Sequence, residues 1–304
     1  MAGLMATANS DLRTVVGIEK GERAYETTAR LLERLDFRVT GKTVLLKPNL
    51  TTAASADNGI TTDVGVCRAV LERLERCRIV IGEGSGGANT RTAFERNGYA
   101  ELAHRFGAEL VDFNEGDVIR KTVPTPLCFR ELPLARAVFD ADYVVSVAKL
   151  KIHSLARVTL GLKNMFGCVV GRREKLRVHP HINRAISDIA QAIYPDFAVI
   201  DGIVGNERDE VNTFPVSSGI VLAGEDALSV DRVGCRCMGV DPEEVEHLRR
   251  GVEIFGPRAI EILGPPVSEV ARRYSRRRSR RGRWAVVGSR VLGWVRKNRI
   301  KVPR

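Results

Sequence analysis

The chain has 304 residues, 44% of them hydrophobic and 28% charged, a balance that excludes a disordered polar chain and suits one large domain or two small ones. No apolar run reaches the roughly 18 residues of a membrane-spanning helix, and the opening MAGLMATANSDLR lacks the basic-then-apolar order of a secretory signal. The formal charge of +11 is concentrated at one end: residues 271–304 hold 14 Lys and Arg with no acid, so residues 1–270 keep 34 basic against 37 acidic residues, a net of −3.

In chain order, residues 15–18 read as a strand and 25–35 as a helix. A second strand at 43–47 ends in Lys-Pro-Asn. Asp63 or a neighbouring threonine caps a helix over 66–74. The strand 79–81 runs into a glycine-rich turn and then a helix from 90 to 106. A strand follows at 110–112, and 115–132 reads as β-turn-β. Residues 143–147 form a strong strand, with helices over 155–165 and 182–193. Strands at 198–201 and 219–223 and a helix at 227–238 complete the series. Repeated strand–helix alternation predicts an α/β fold, a mainly parallel sheet with helices on both faces. The expected division is a single α/β domain over 1–270 and a basic C-terminal tail over 271–304.

In open α/β sheets ligands sit beyond the carboxyl ends of the strands. The polar residues collect there, in KPNL (47–50), GEGSGG (82–87), AKLKIH (148–153) and DGIVGNE (201–207). Lys47 and Asn49 are placed to hold and orient a phosphate or carboxylate. Gly84 and Ser85 lie in the glycine turn, where Gly82, Gly84 and Gly87 formally match G-x-G-x-x-G. Against a dinucleotide there, Glu83 puts a negative charge where a pyrophosphate would lie, and Asn89-Thr90 starts the helix too late. Lys149, Lys151 and His153 share one parity and point to one side of an extended chain. Thr159 and Lys163 are spaced i, i+4, with Asn164 beside them.

Converging cations, an imidazole and an amide suit an anionic small molecule. Lys47, Asn49, Gly84, Ser85, Lys149 and Asn164 would bind it, and Lys151, Lys163 and His153 would be catalytic, with His153 moving the proton near neutral pH. Glu83, Asp201 and Asp231 form a candidate set for a divalent metal. His179-Pro180-His181 reads as a surface pair, and His104 and His247 as helix-surface residues. The cysteines Cys67, Cys77, Cys128, Cys168, Cys235 and Cys237 match no zinc-ribbon or ferredoxin spacing, so an iron–sulfur cluster is not expected. A non-catalytic binding or redox-partner module is the alternative to an enzyme.

Taken jointly, KTVLLKPNL, TTD, IVIGEGSG, AFERNGYAELAHRFGAELVDFNE, ADYVVSVAKLKIHSLARVTLGLKNMFG, FAVIDGIVG and IVLAGEDALSVDRVGCRCMGVDPEEV resemble the family named domain of unknown function 362, over residues 44–264. That resemblance implies a bacterial or archaeal protein and a link to redox metabolism, because many members carry a ferredoxin-like iron–sulfur segment. This sequence departs from the family in lacking the cluster cysteines, in TDVGV where similar sequences have TDP, and in NERDEVNTFPV where many have a glycine-rich Met-Glu-Gly stretch. The tail lies outside the resemblance. Its arginines, with Trp284 and Trp294, suit an anionic membrane surface, or alternatively a nucleic acid. The expected location is cytoplasmic, peripheral at the inner face of the membrane.

Overall fold

The structure, a computed structural model, describes residues 12–276. Its strands are β1 (Arg13–Lys20), β2 (Val39–Thr40), β3 (Thr43–Pro48), β4 (Leu74–Glu75), β5 (Arg78–Glu83), β6 (Glu109–Asp112), β7 (Val118–Thr122), β8 (Glu131–Ala135), β9 (Tyr143–His153), β10 (Arg157–Thr159), β11 (Phe197–Asn206), β12 (Pro215–Gly224) and β13 (Ala259–Leu263). The main sheet runs β13-β1-β12-β11-β9-β3-β5-β6, with β10 added as a short hairpin partner of β9. From β11 to β6 every pairing is parallel. On this path only β12 runs against its neighbours, between β11 and β1. The fold is thus the expected α/β architecture with a mainly parallel sheet.

The central strands bury both faces, which is why their sequences read as continuous apolar runs. Val44, Leu46, Val145, Val147, Val199 and Val221 pack on one side with the helices Ala24–Arg34 and Val64–Leu71. Leu45, Ala148, Leu150, Ile200 and Leu222 pack on the other with Ile182–Ala192 and Ala227–Cys237. Alternate residues of each strand therefore feed two separate cores.

Three expectations are corrected. Residues 155–165 are not one helix: the chain turns back at Arg157 (φ 74°), forms β10, and only then makes the short helix Gly161–Asn164. Residues 90–106 are two helices, Thr90–Arg96 and Tyr99–Phe106, separated at Gly98 by a left-handed φ of 75° that glycine adopts without a Cβ penalty. The body also extends beyond residue 270. Arg272 and Tyr274 donate backbone N–H groups to the carbonyls of Cys237 and Met238 at 2.8 and 3.0 Å, and the buried Tyr274 hydroxyl lies 2.8 Å from Ser218. Next to it, Ser275 and the 207–208 loop exchange hydrogen bonds: Ser275 N–H to Glu207 and Arg208 N–H to the Ser275 carbonyl, each 2.8 Å. The remainder of the tail, with Trp284 and Trp294, lies outside the described residues.

Candidate anion-binding site

A pocket of about 360 Å³ opens at the carboxyl ends of β3, β5 and β9. The register explains the convergence. Parallel β3 lies between β5 and β9, so Lys47, Glu83 and the end of β9 emerge on the same edge of the sheet.

Its floor is a closed polar network. The Lys47 ammonium donates to Glu83 Oε1 (3.0 Å), Asn164 Oδ1 (3.1 Å) and the Pro48 carbonyl (3.0 Å). Glu83 also accepts the backbone N–H groups of Gly84 at 2.7 Å and Leu50 at 2.8 Å. Asn49 donates to Asn164 Oδ1 (3.1 Å), and the Asn164 amide nitrogen returns to the Lys47 carbonyl and the Ser146 hydroxyl (2.9 and 3.1 Å). Lys47 is 0% and Glu83 3% exposed; a buried pair of this kind persists only when its remaining donors and acceptors are also met. Gly167 is required by the packing, because a Cβ there would stand 2.5 Å from Glu83 Oε1 and 2.8 Å from Lys47 Nζ.

The walls differ, because several of their polar atoms have no protein partner among the described residues. Among the described residues Lys163, half-buried, forms no hydrogen bond or ion pair, and its ammonium lies over the face of Phe166, 4.4 Å from the ring centre. The hydroxyl of Thr159, 2% exposed, lines the pocket with no hydrogen-bond partner. Lys175, from the helix Arg172–Val178, bonds the Gly84 carbonyl and Asn114 Oδ1 at 2.7 Å each, which leaves one ammonium proton. Burial pushes Lys163 and Lys175 down to about 8; Glu210 above all holds Lys163 up in part, Glu83 does so for Lys175, and Lys47 lowers both further.

Two imidazoles complete the walls. His153 Nδ1 accepts the N–H groups of Leu155 (3.1 Å) and Ala156 (3.2 Å), so its proton sits on Nε2. Burial pushes it down to about 3, with Lys163, His179 and Lys151 adding to the effect against Glu210. The expectation that His153 titrates near neutral pH is therefore corrected; at pH 7 it is a neutral Nε2–H donor. His179 shows the opposite arrangement. Its Nδ1 lies 2.7 Å from the Lys175 carbonyl, which can only accept, so Nε2 is bare. The His179 ring meets Phe166 edge-on at 5.2 Å, and burial lowers its pKa as well.

Of the residues expected at the site, Lys47, Asn49, Glu83, Gly84, His153, Lys163 and Asn164 line the pocket, whereas Ser85, Lys149, Lys151, Asp201 and Asp231 do not. Lys149 is buried in an ion pair with Asp201 at 2.8 Å. Lys151 bonds the Ile60 carbonyl at 2.8 Å and the Thr51 hydroxyl at 3.2 Å, and burial together with Lys163 pushes it down to about 7. Ser85 donates to the Leu50 carbonyl at 2.6 Å. The three carboxylates expected to share a metal are separately engaged. Asp201 holds Lys149 and the Asp63 N–H, and Asp231 accepts the N–H groups of Gly161 (2.6 Å) and Leu162 (2.9 Å) at the start of a short helix. Among the described residues no group of three or more His, Cys, Asp or Glu is placed to hold a metal. The glycine turn uses its N–H groups internally, on Glu83, Thr90 and the Thr51 carbonyl, and the next helix is capped later by Asn89.

Lys175 and Glu210 were not anticipated from the sequence, and His179, expected as a surface residue, is instead half-buried in the pocket wall. Lys175 falls at i, i+3, i+7 with the buried Val178 and Ile182, a stripe that marks the inner face of an otherwise basic helix. His179 follows on the next turn. Glu210 comes from the β11–β12 loop, where both its oxygens accept from Ser154.

The lowered lysines carry a stability signature. Between pH 7 and about 9 the unfolded chain holds protons on Lys151, Lys163 and Lys175 that the folded chain has begun to release. Stability rises with pH wherever the unfolded state binds more protons. The urea midpoint of the ligand-free protein is expected to increase from pH 7 to 9. The thiols that burial pushes up act in the opposite sense over this range, so the amine contribution is read against Lys151→Met, whose midpoint should rise less; an equal rise in the two proteins would show that the Lys151 amine is not held in its buried position.

These features define an α/β protein with a cationic pocket at a parallel sheet edge. The chain belongs to the family described as domain of unknown function 362, whose model matches residues 44–236. It is 28% identical over 240 residues, 76% of this chain and 74% of the relative, to the thylakoid-associated protein sll1697 of Synechocystis. Among solved structures it is similar to the lactate racemase apoprotein of Thermoanaerobacterium thermosaccharolyticum, with a TM-score of 0.44 and 15% identity. That likeness covers 75% of this chain and 59% of the other, so the chain spans less than two thirds of that structure.

Proposed function

We propose that the pocket binds a small organic anion through a carboxylate or phosphate group. The observation that carries this reading is that one pocket is lined both by Lys163, which forms no hydrogen bond or ion pair among the described residues, and by the buried Thr159 hydroxyl, which has no hydrogen-bond partner among them. A buried donor without a partner costs about 1–3 kcal/mol, and an anion bridging the two removes that cost. The third proton of Lys175 and the Nε2–H of His153 add donors around the same volume. Titration calorimetry with inorganic phosphate and with oxalate tests it: at least one should bind to the wild-type protein and lose affinity in Lys163→Met and in Thr159→Val. Equal affinities in all three proteins refute the site.

A second reading concerns location. Among the described residues no helix is long and apolar enough to cross a membrane, and the sequence from 277 onward combines Trp284 and Trp294 with arginines. We propose that this segment docks the protein on an anionic bilayer; the thylakoid association in the relative's name accords with it. The full chain should float with vesicles containing about 30% phosphatidylglycerol. A chain truncated after Arg276, which retains the contacts of Tyr274 and Ser275, should stay at the bottom of the gradient. Equal flotation of the two refutes docking through this segment.

A further inference from the structure

Resting on the anion-binding reading, we infer that the pocket is a proton-transfer centre for 2-oxo acids, with His179 as the base and His153 as a neutral donor to the oxygen that gains charge. The two imidazoles are locked in opposite tautomers by backbone groups. Two N–H groups converge on His153 Nδ1, so this ring presents Nε2–H. A carbonyl accepts from His179 Nδ1, so that ring presents a bare Nε2. Neither Nε2 has a protein partner among the described residues, and both rings line one pocket. Phe166 brings the elements together: Lys163 lies over its face at 4.4 Å and His179 meets its edge at 5.2 Å. One small volume thus holds a proton acceptor, a neutral N–H donor and an ammonium that no hydrogen bond or ion pair engages among the described residues.

A carboxylate beside a carbonyl uses all of these. Lys163, Lys175 and the Thr159 hydroxyl hold the carboxylate. The carbonyl oxygen faces His153 Nε2–H and Lys163. His179 Nε2 then takes a proton from the carbon on the far side of the carbonyl. The electron pair of the broken C–H bond becomes the new C=C bond, and the carbonyl pair moves onto oxygen to give an enolate. Preorganised donors where charge develops favour that state over the ketone. Because burial keeps His153 neutral, it stabilises the enolate as a hydrogen-bond donor. Burial also keeps His179 unprotonated at neutral pH and so available as a base. Return of the proton to carbon restores the ketone, and no oxidant, reductant or further reactant is needed.

Pyruvate is the probe. In D2O near neutral pH, the full chain should exchange the methyl protons of pyruvate, followed by proton NMR, roughly 100-fold faster than the His179→Gln variant does. The variant should still bind oxalate, a planar mimic of the enolate, with unchanged affinity. His104→Gln, on the exposed side of the helix Tyr99–Phe106, should exchange like the wild type. Nitrogen-15 NMR of the wild-type protein at pH 7 provides a test that needs no variant: His153 should carry its proton on Nε2 and His179 on Nδ1. Equal exchange in wild type and His179→Gln, no exchange above buffer while oxalate binds, or the reverse tautomer at His179 would each overturn the proton-transfer inference and leave the anion pocket standing. Absence of any Lys163-dependent anion binding would remove both.

Discussion

Replacing Lys47 by Met is expected to destabilise the protein by about 3–5 kcal/mol, because it strands the Glu83 carboxylate among groups that only a cation complements. The lysine provides three hydrogen bonds at once, to Glu83, Asn164 and the Pro48 carbonyl, and methionine provides none. Glu83 would retain its two backbone donors, Leu50 and Gly84, but keep its charge. The double variant Lys47→Met/Glu83→Gln should regain a good part of the loss, since a neutral amide can still accept one of those N–H groups without a buried charge. Urea denaturation of the two single variants and the double supplies the cycle. Strict additivity would show that Lys47 and Glu83 do not act as a pair.

Lys163→Met should leave folding nearly unchanged and weaken oxalate or phosphate binding by roughly 10- to 150-fold, the equivalent of one charge-assisted hydrogen bond of about 1.5–3 kcal/mol. The contrast with Lys47 follows from geometry. Lys47 is fully engaged by protein atoms, whereas Lys163 makes no hydrogen bond or ion pair among the described residues and lies over the Phe166 ring, against which a methionine also packs. A pH dependence should accompany the loss. An anion favours the charged amine and raises its pKa, so binding near pH 8 should take up protons, and affinity should fall as pH rises through about 8. Calorimetry in buffers of different ionisation enthalpy measures that uptake directly. Zero uptake, with full affinity in Lys163→Met, would place the anion elsewhere.

The strand ends were legible in the sequence because polar residues interrupt runs that are otherwise buried on both faces. Lys47, Glu83 and His153 all follow that rule. What parity could not supply was depth. Lys149, Lys151 and His153 share a side of β9, yet the first pairs with Asp201, the second is held by Ile60 and Thr51, and only the third reaches the pocket. Thr159 and Lys163 do line one pocket, but not as neighbours on a helix. Thr159 belongs to β10, and the left-handed turn at Arg157 that creates that strand has no glycine to announce it. Glu83 and Asp231 read as candidate metal ligands because the backbone N–H groups that hold Asp231, and that hold Glu83 together with Lys47, are invisible to a pattern of side chains.

The sheet order also dictates a sequence of assembly. β1 is the first described strand to be synthesised, yet both of its neighbours, β12 and β13, lie roughly two hundred residues or more downstream. The edge that carries the pocket needs only β3, β5, β6, β9 and β10 for its strands, all complete by residue 159. A nascent chain can therefore form that half of the sheet while β1 still waits for partners. Closure of the other half depends on loop-closing contacts of high sequence separation, which makes docking of β1 a late and slow event in folding.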